Sequence, residues 1–177
     1  MMKRALNLRA LASSPKRLAI LLVAFLLIAC VKSFLPDESV IQGKVVRVID
    51  GDTIELLSAS NERVRVRFYG IDAPESNQAY GKKAKEFLAS LIAGKQVIVK
   101  TTQKDKYKRT LGIVELDGKD INKEMVANGF AWAYVYYSDK YLSEQRSAQA
   151  AKLGLWQDNH PIEPYEWRKN HSFKGKK

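Results

Sequence analysis

Three short clusters in this sequence combine carboxylates with guanidinium groups at spacings that could do chemistry: Asp50-Gly51-Asp52-Thr53, Arg67 followed by Asp72-Ala73-Pro74-Glu75, and Asp105-Lys106-Tyr107-Lys108-Arg109. Singly they are ordinary, because Asp-Gly-Asp forms turns, an arginine in an alternating strand faces water, and a charged run is a loop. Together they supply the parts of one reaction. Asp52 and Asp72 can hold a hard divalent cation through oxygen, and Arg67 and Arg109 can grip a phosphodiester with planar bidentate forks. That leaves Glu75 to activate water, and the sum is metal-assisted phosphodiester hydrolysis. Soft-ligand chemistry is excluded by inventory: one cysteine, Cys30, and two histidines, His160 and His171, cannot build a Cys/His zinc site.

The charge balance agrees. Thirty Lys and Arg against nineteen Asp and Glu give a formal charge of +11, so the expected partners are polyanions, nucleic acid or an anionic membrane face. The chain of 177 residues, 46% hydrophobic and 28% charged, has ordinary globular composition. It is long enough for one domain with a real core, and disorder and collagen are excluded.

The elements that must position these residues follow from periodicity. Val40 to Ile49 is rich in β-branched residues and stops at Asp50-Gly51, a tight-turn pair, before Thr53 to Leu57 returns as the second arm of a hairpin. Arg63 to Phe68 alternates strictly, with Val64, Val66 and Phe68 on a buried face and Arg63, Arg65 and Arg67 on a cationic one. From Ala84 the spacing predicts a helix, ended by Gly94. Val97 to Val99 and Leu111 to Leu116 read as further strands, and helices are expected over Asn122 to Asn128 and about Ser143 to Leu153. Five short strands, three of them in a meander before the first helix, are too few for a sandwich. They suit a mainly β chain: a five-stranded OB-fold barrel with about three helices outside. Arg67 and Asp72 have opposite parity, so both reach one site only if the strand ends or bulges between them, and Gly70 is the candidate position. Pro74 then stops the sheet and presents Glu75 from a loop.

The N-terminus separates by composition. Residues 1–29 carry no acidic side chain and five basic ones, all ahead of an apolar run from Leu18 to Val31, the pattern of a signal peptide or an anchor. Leu27-Ile28-Ala29-Cys30 also matches the lipobox pattern, which would place a lipid on Cys30 and the protein at a membrane; an uncleaved signal-anchor and plain secretion are the alternatives. Removal of residues 1–29 leaves a charge of +6. The expected organisation is therefore a signal or anchor over 1–29, a tether over 30–39, the OB domain over 40–160 and a solvated basic tail over 161–177.

Across residues 40 to 157 the sequence resembles the staphylococcal-nuclease-like, or thermonuclease, family. The resemblance rests on Asp-Gly-Asp-Thr-Ile-Glu-Leu at 50–56, on Arg67 with Asp72-Ala-Pro-Glu75, on Asp-Lys-Tyr-x-Arg at 105–109 and on Ala-Tyr-Val-Tyr at 133–136. It implies an OB barrel and Ca²⁺-dependent endonucleolytic cleavage of DNA and RNA that leaves 3′-phosphates. Arg67, Glu75 and Arg109 fall at the family's catalytic positions, and metal contacts would come from Asp52, Asp72 and the backbone carbonyl of Ala73. Tyr107 and Tyr134 fall at substrate-contact positions, and Lys106 and Tyr136 could also stack on or bond a nucleotide. Trp132, Tyr137, Trp156 and Trp167 are expected to pack or anchor. The sequence departs from the family at Ala73, where its best-known member has Thr, at Lys108, where Gly is usual, and in a shorter loop over 74–83. Two rival readings remain: a non-catalytic OB module binding nucleic acid or another polyanion, and an exported scaffold whose basic tail contacts anionic lipid.

Overall fold

Strict alternation of apolar and cationic residues makes the third strand one wall of a closed barrel. The computed structural model describes residues 19–25, 40–105, 107 and 109–172. The chain divides into two units, Met1–Asp37 and Glu38–Lys177. In the first, residues 19–25 are helical, and among the described residues no helix is long and apolar enough to cross a membrane. Cys30 and the tether over 30–39 lie outside the described residues.

The second unit begins with a meander, β1 (Val40–Val48), β2 (Thr53–Ser58) and β3 (Arg63–Phe68). A two-residue strand β4 (Ile71–Asp72), helix α1 (Gly81–Ile92), β5 (Gln96–Lys104) and β6 (Thr110–Leu116) follow. Then come β7 (Lys119–Asp120), α2 (Ile121–Ala127), β8 (Trp132–Ala133), α3 (Leu142–Ala150), a 3₁₀ turn (Gly154–Gln157) and α4 (Pro164–Ser172). The strand order is β3-β2-β1-β5-β6, and β6 returns to pair with β3 in parallel, which closes a five-stranded barrel. Inside it pack Val45, Ile54, Leu56, Val66, Phe68 and Val99, sealed by Leu88 and Ile92 of α1 and by Met125 of α2. This is the expected mainly β, OB-like architecture with helices outside.

The boundaries that differ have local causes. The fourth main strand runs well beyond Val97 to Val99 because β5 ladders with β1 at its start and with β6 through to Lys104. The helix expected to reach Leu153 ends at Ala150, where Lys152 turns to φ +52° and the Leu153 N–H bonds back to Ala148. Residues 164–172, read from sequence as part of a solvated tail, form α4. Pro164 opens that helix, Glu166 lies in its first turn, and Lys169 and His171 in its last complement its dipole.

One corner of the barrel sets the site. β3 ends at Phe68, and the chain turns through Tyr69-Gly70 before Ile71 and Asp72 re-enter as β4. Gly70 has φ +75°, and a Cβ there would meet the buried ring of Tyr141 at 3.2 Å, so both conformation and space call for glycine. Asn122, fully buried on α2, clamps the corner. Its side-chain oxygen accepts from the Val114 N–H at 3.0 Å, and its amide donates to the carbonyls of Tyr69 and Gly112 at 2.9 and 3.2 Å.

Candidate active site

The break in parity between β3 and β4 lets Arg67 and Asp72 meet. The Arg67 guanidinium bridges two carboxylates, with Nη1 2.6 Å from Asp52 Oδ2 and Nη2 2.8 Å from Asp72 Oδ1. Asp52 comes from the turn between β1 and β2. That turn is held by the Asp50 side chain accepting from the Asp52 N–H at 3.0 Å and by the Ile49 N–H donating to the Thr53 carbonyl at 2.9 Å. The Ala73 N–H donates to Asp52 Oδ2 at 2.6 Å and the Thr53 hydroxyl to Oδ1 at 3.1 Å. The two aspartates are 5% and 2% exposed, so both charges sit away from water. Burial pushes the Asp52 carboxyl up to about 8; Arg67 and the Ala73 N–H pull against this, while Asp50 and Asp72 reinforce it.

Glu75 follows Pro74 in a loop stitched by Gln78, whose side-chain oxygen accepts from the Glu75 N–H at 3.0 Å while the Gln78 N–H donates to the Glu75 carbonyl at 2.8 Å. Gly81, the first residue of α1, lies directly on that loop: a Cβ there would collide with the Glu75 carbonyl oxygen. The Gln78 amide also donates to the Ile162 carbonyl at 2.7 Å, tying the segment that leads into α4 to the loop of Glu75. From α4, Arg168 reaches across. Its Nη1 lies 2.8 Å from Glu75 Oε1 and 3.2 Å from Asp72 Oδ1, and its Nη2 lies 2.9 Å from Asp72 Oδ2. Burial opposes the charge on Arg168, but the bonds to Asp72 and Glu75 prevail and hold it protonated.

Sequence reasoning missed Arg168. The only hint was composition, a tryptophan and an arginine within a basic run, and nothing in that run identifies Asp72 as a partner. Gln78 was missed for the same reason, since its role depends on two backbone segments far apart in sequence.

Arg109 belongs to a second cluster at the start of β6. Its Nε lies 2.7 Å from Asp105 Oδ2, its N–H donates to Asp105 Oδ1 at 2.9 Å, and its guanidinium lies 5.4 Å from the centre of the Tyr107 ring. The Asp105 carboxyl is held below its usual value against its own desolvation, chiefly by these Arg109 bonds. Leu111, two residues on, pairs beside Arg67 across the parallel β3–β6 ladder, so the two arginines leave adjacent strands near one end of the barrel. Lys106 and Lys108 lie outside the described residues. Tyr134 shares a shallow depression with Asp72, Tyr136, Glu163 and Pro164. Burial and the negative charge of Asp72 raise its hydroxyl above the ordinary tyrosine value. Tyr136 and Tyr137 lie 5.5 and 5.1 Å from the Tyr134 ring. Both are about two-thirds exposed, and Tyr137, expected to pack or anchor, lies against the Tyr134 ring while its carbonyl accepts from the Tyr69 hydroxyl at 3.2 Å. Trp132 and Trp156 do pack, edge to face at 4.3 Å. Trp167 anchors α4 through its indole N–H, 3.3 Å from Asn77 Oδ1.

Among the described residues no three His, Cys, Asp or Glu side chains are grouped to hold a metal by themselves. The donor chemistry nevertheless fits a hard cation that also takes backbone carbonyl or water ligands. Asp52 and Asp72 offer oxygen only, and three carboxylates, Asp52, Asp72 and Glu75, face two guanidiniums.

Comparison with known proteins identifies relatives of this arrangement. The profile of the family described as Staphylococcal nuclease homologue matches residues 65–158. A Haemophilus influenzae protein named "Uncharacterized endonuclease" is 45% identical over 152 residues, 85% of each chain. An Escherichia coli protein of the same name is 47% identical over 131 residues, 72% of this chain and 85% of its own. A Shigella flexneri protein named "Micrococcal nuclease" is 41% identical over 141 residues, 72% of this chain and 80% of its own.

Proposed function

Because the chain belongs to the staphylococcal-nuclease-like family, we propose that it is an endonuclease that hydrolyses phosphodiester bonds of DNA and RNA with the help of an oxygen-ligated divalent ion, Ca²⁺ in the first place. The observation that carries this reading is the convergence of Arg67, Asp52, Asp72 and Glu75 at one barrel corner. A module that only bound polyanions would need the arginines but no buried carboxylate pair beside them.

In this reading Asp52, Asp72 and the Ala73 carbonyl hold the ion. When bound, it neutralises charge on the phosphate and lowers the barrier to attack by water. Glu75 takes a proton from that water as the new oxygen–phosphorus bond forms. Arg67, fixed by two buried partners, is preorganised to stabilise charge on the equatorial phosphate oxygens. Arg109 supports that charge or the departing 5′ oxygen, which leaves with a proton from solvent, so the product ends in a 3′-phosphate. Tyr107, Lys106 and Tyr134 flank the path of the strand as stacking or hydrogen-bonding groups. The N-terminal segment directs export, with lipidation of Cys30 as the tether to a membrane; mass spectrometry of the mature chain would show a modified Cys30 at its start, and an intact residue 1 would reject this.

The test is degradation of single-stranded DNA and of RNA by the purified protein with Ca²⁺ and with excess chelator. Cleavage should require the ion and fall sharply in Asp52→Asn and Asp72→Asn. Undiminished cleavage in chelator would overturn the metal assignment. Binding without turnover in Ca²⁺, Mg²⁺ and Mn²⁺ would leave the OB binding module as the better account.

A further inference from the structure

We propose that Arg168 is a third phosphate-gripping residue of this site, which leaves its carboxylate partners for the substrate when nucleic acid binds. The inference rests on the nuclease reading above and adds to it a residue beyond the matched family region, which stops at 158.

Three observations carry it. First, the Arg168 fork lies within hydrogen-bond distance of both Asp72 and Glu75, so any phosphate close enough for Glu75 to act on its attacking water is within reach of this guanidinium. Second, its backbone is anchored while its side chain is not enclosed. The Gln78–Ile162 and Trp167–Asn77 bonds pin α4 and its approach to the Glu75 loop, whereas the Arg168 side chain is 40% exposed against 13% for Arg67. Of the two guanidiniums on Asp72, Arg168 is the one able to swing. Third, its present partners are groups that the reaction needs elsewhere. A Glu75 lone pair that accepts from Arg168 is not accepting a proton from water, and Asp72 oxygens taken by a cation no longer serve Arg168. The anion that then stands nearest is the phosphodiester, whose paired oxygens match the fork. Arg168 thus exchanges carboxylate for phosphate as the cation takes over Asp72, and Glu75 is released to act on water.

The experiment measures binding apart from turnover. Fluorescence anisotropy of a labelled, slowly hydrolysed phosphorothioate oligonucleotide, in Ca²⁺ and across a salt series, is compared for the wild-type protein, Arg168→Gln and Arg168→Lys. Each phosphate contact to a single strand contributes about 0.7 to the slope of log affinity against log salt. Arg168→Gln should therefore lose about 0.7 of slope and bind on the order of tenfold more weakly, whereas Arg168→Lys should keep the slope but raise Kd several-fold for want of the fork. An Arg168→Gln variant with wild-type slope and affinity, or one that binds more tightly because a blocking side chain is gone, overturns the assignment. Circular dichroism checks that the glutamine variant is folded; if it is not, the lysine variant decides, and an unchanged Kd overturns the assignment. Wild-type cleavage with no slope change in the variant defeats this inference alone. Absence of wild-type cleavage defeats the nuclease reading, and the slope comparison still decides Arg168.

Discussion

Replacing Gly81 by alanine probes the site without touching any charged group. Gly81 carries no positive φ, so alanine meets no backbone conformational penalty there, and the substitution acts through space alone. The added Cβ would stand 2.7 Å from the Glu75 carbonyl carbon, where ordinary contact begins near 3.4 Å. The carbonyl oxygen would stand nearer still, so relief requires the Glu75 loop and the start of α1 to part by more than about 0.7 Å, at least of the order of the 1 Å misplacement that costs roughly a hundredfold in rate. Overpacking of this kind costs about 1–3 kcal/mol, partly offset by a gain of about 0.4–1 kcal/mol from a less flexible unfolded chain. Net destabilisation of about 1–2 kcal/mol should lower the melting temperature by roughly 3–8 °C in a domain of this size. The assay pairs differential scanning fluorimetry with single-turnover cleavage of a short DNA. We expect kcat to fall at least tenfold in a protein that remains folded at 25 °C. A Gly81→Ala protein with unchanged melting temperature and unchanged kcat would refute the claim that this close approach sets the position of Glu75.

Glu75→Gln should retain nucleic-acid binding while losing on the order of a hundredfold or more in kcat, the usual worth of a general base; equal activity in steady-state assays would remove Glu75 from that role. Arg67→Lys keeps one charge but cannot bridge Asp52 and Asp72 with a fork, so urea melts should show a loss of about 3 kcal/mol or more, as expected when a buried ion network is broken. A loss under 1 kcal/mol would show that the pair of carboxylates does not depend on the fork. Asn122→Ala leaves the Val114 N–H and the Tyr69 and Gly112 carbonyls without that partner. It should cost about 2–5 kcal/mol in the same melts and slow cleavage, because the corner carrying Asp72 loosens; wild-type stability would show that the clamp is dispensable.

The sequence by itself determined the barrel and most of the chemical inventory, for reasons that are local. Alternation in Arg63–Phe68 records which face is buried, Asp50-Gly51 records a tight turn, and the parity of Arg67 and Asp72 requires a break near Gly70, which the structure shows. Such features are written in the spacing of neighbouring residues, so periodicity exposes them. The Asp52, Arg67 and Asp72 contacts were legible one step further on, because those motifs sit at the ends of adjacent strands. Arg168 was not legible. It stands 96 residues from Asp72, and its meeting with Asp72 and Glu75 depends on Gln78 capturing the Ile162 carbonyl and on Trp167 reaching Asn77, contacts that leave no mark on composition or period. Asn122 is similar: a polar residue in a short helix reads as surface, and only closure of β6 against β3 buries it among backbone groups that need its hydrogen bonds. Tertiary structure decided these because a charge's partner is set by where whole elements pack, whereas a strand's face is set two residues away.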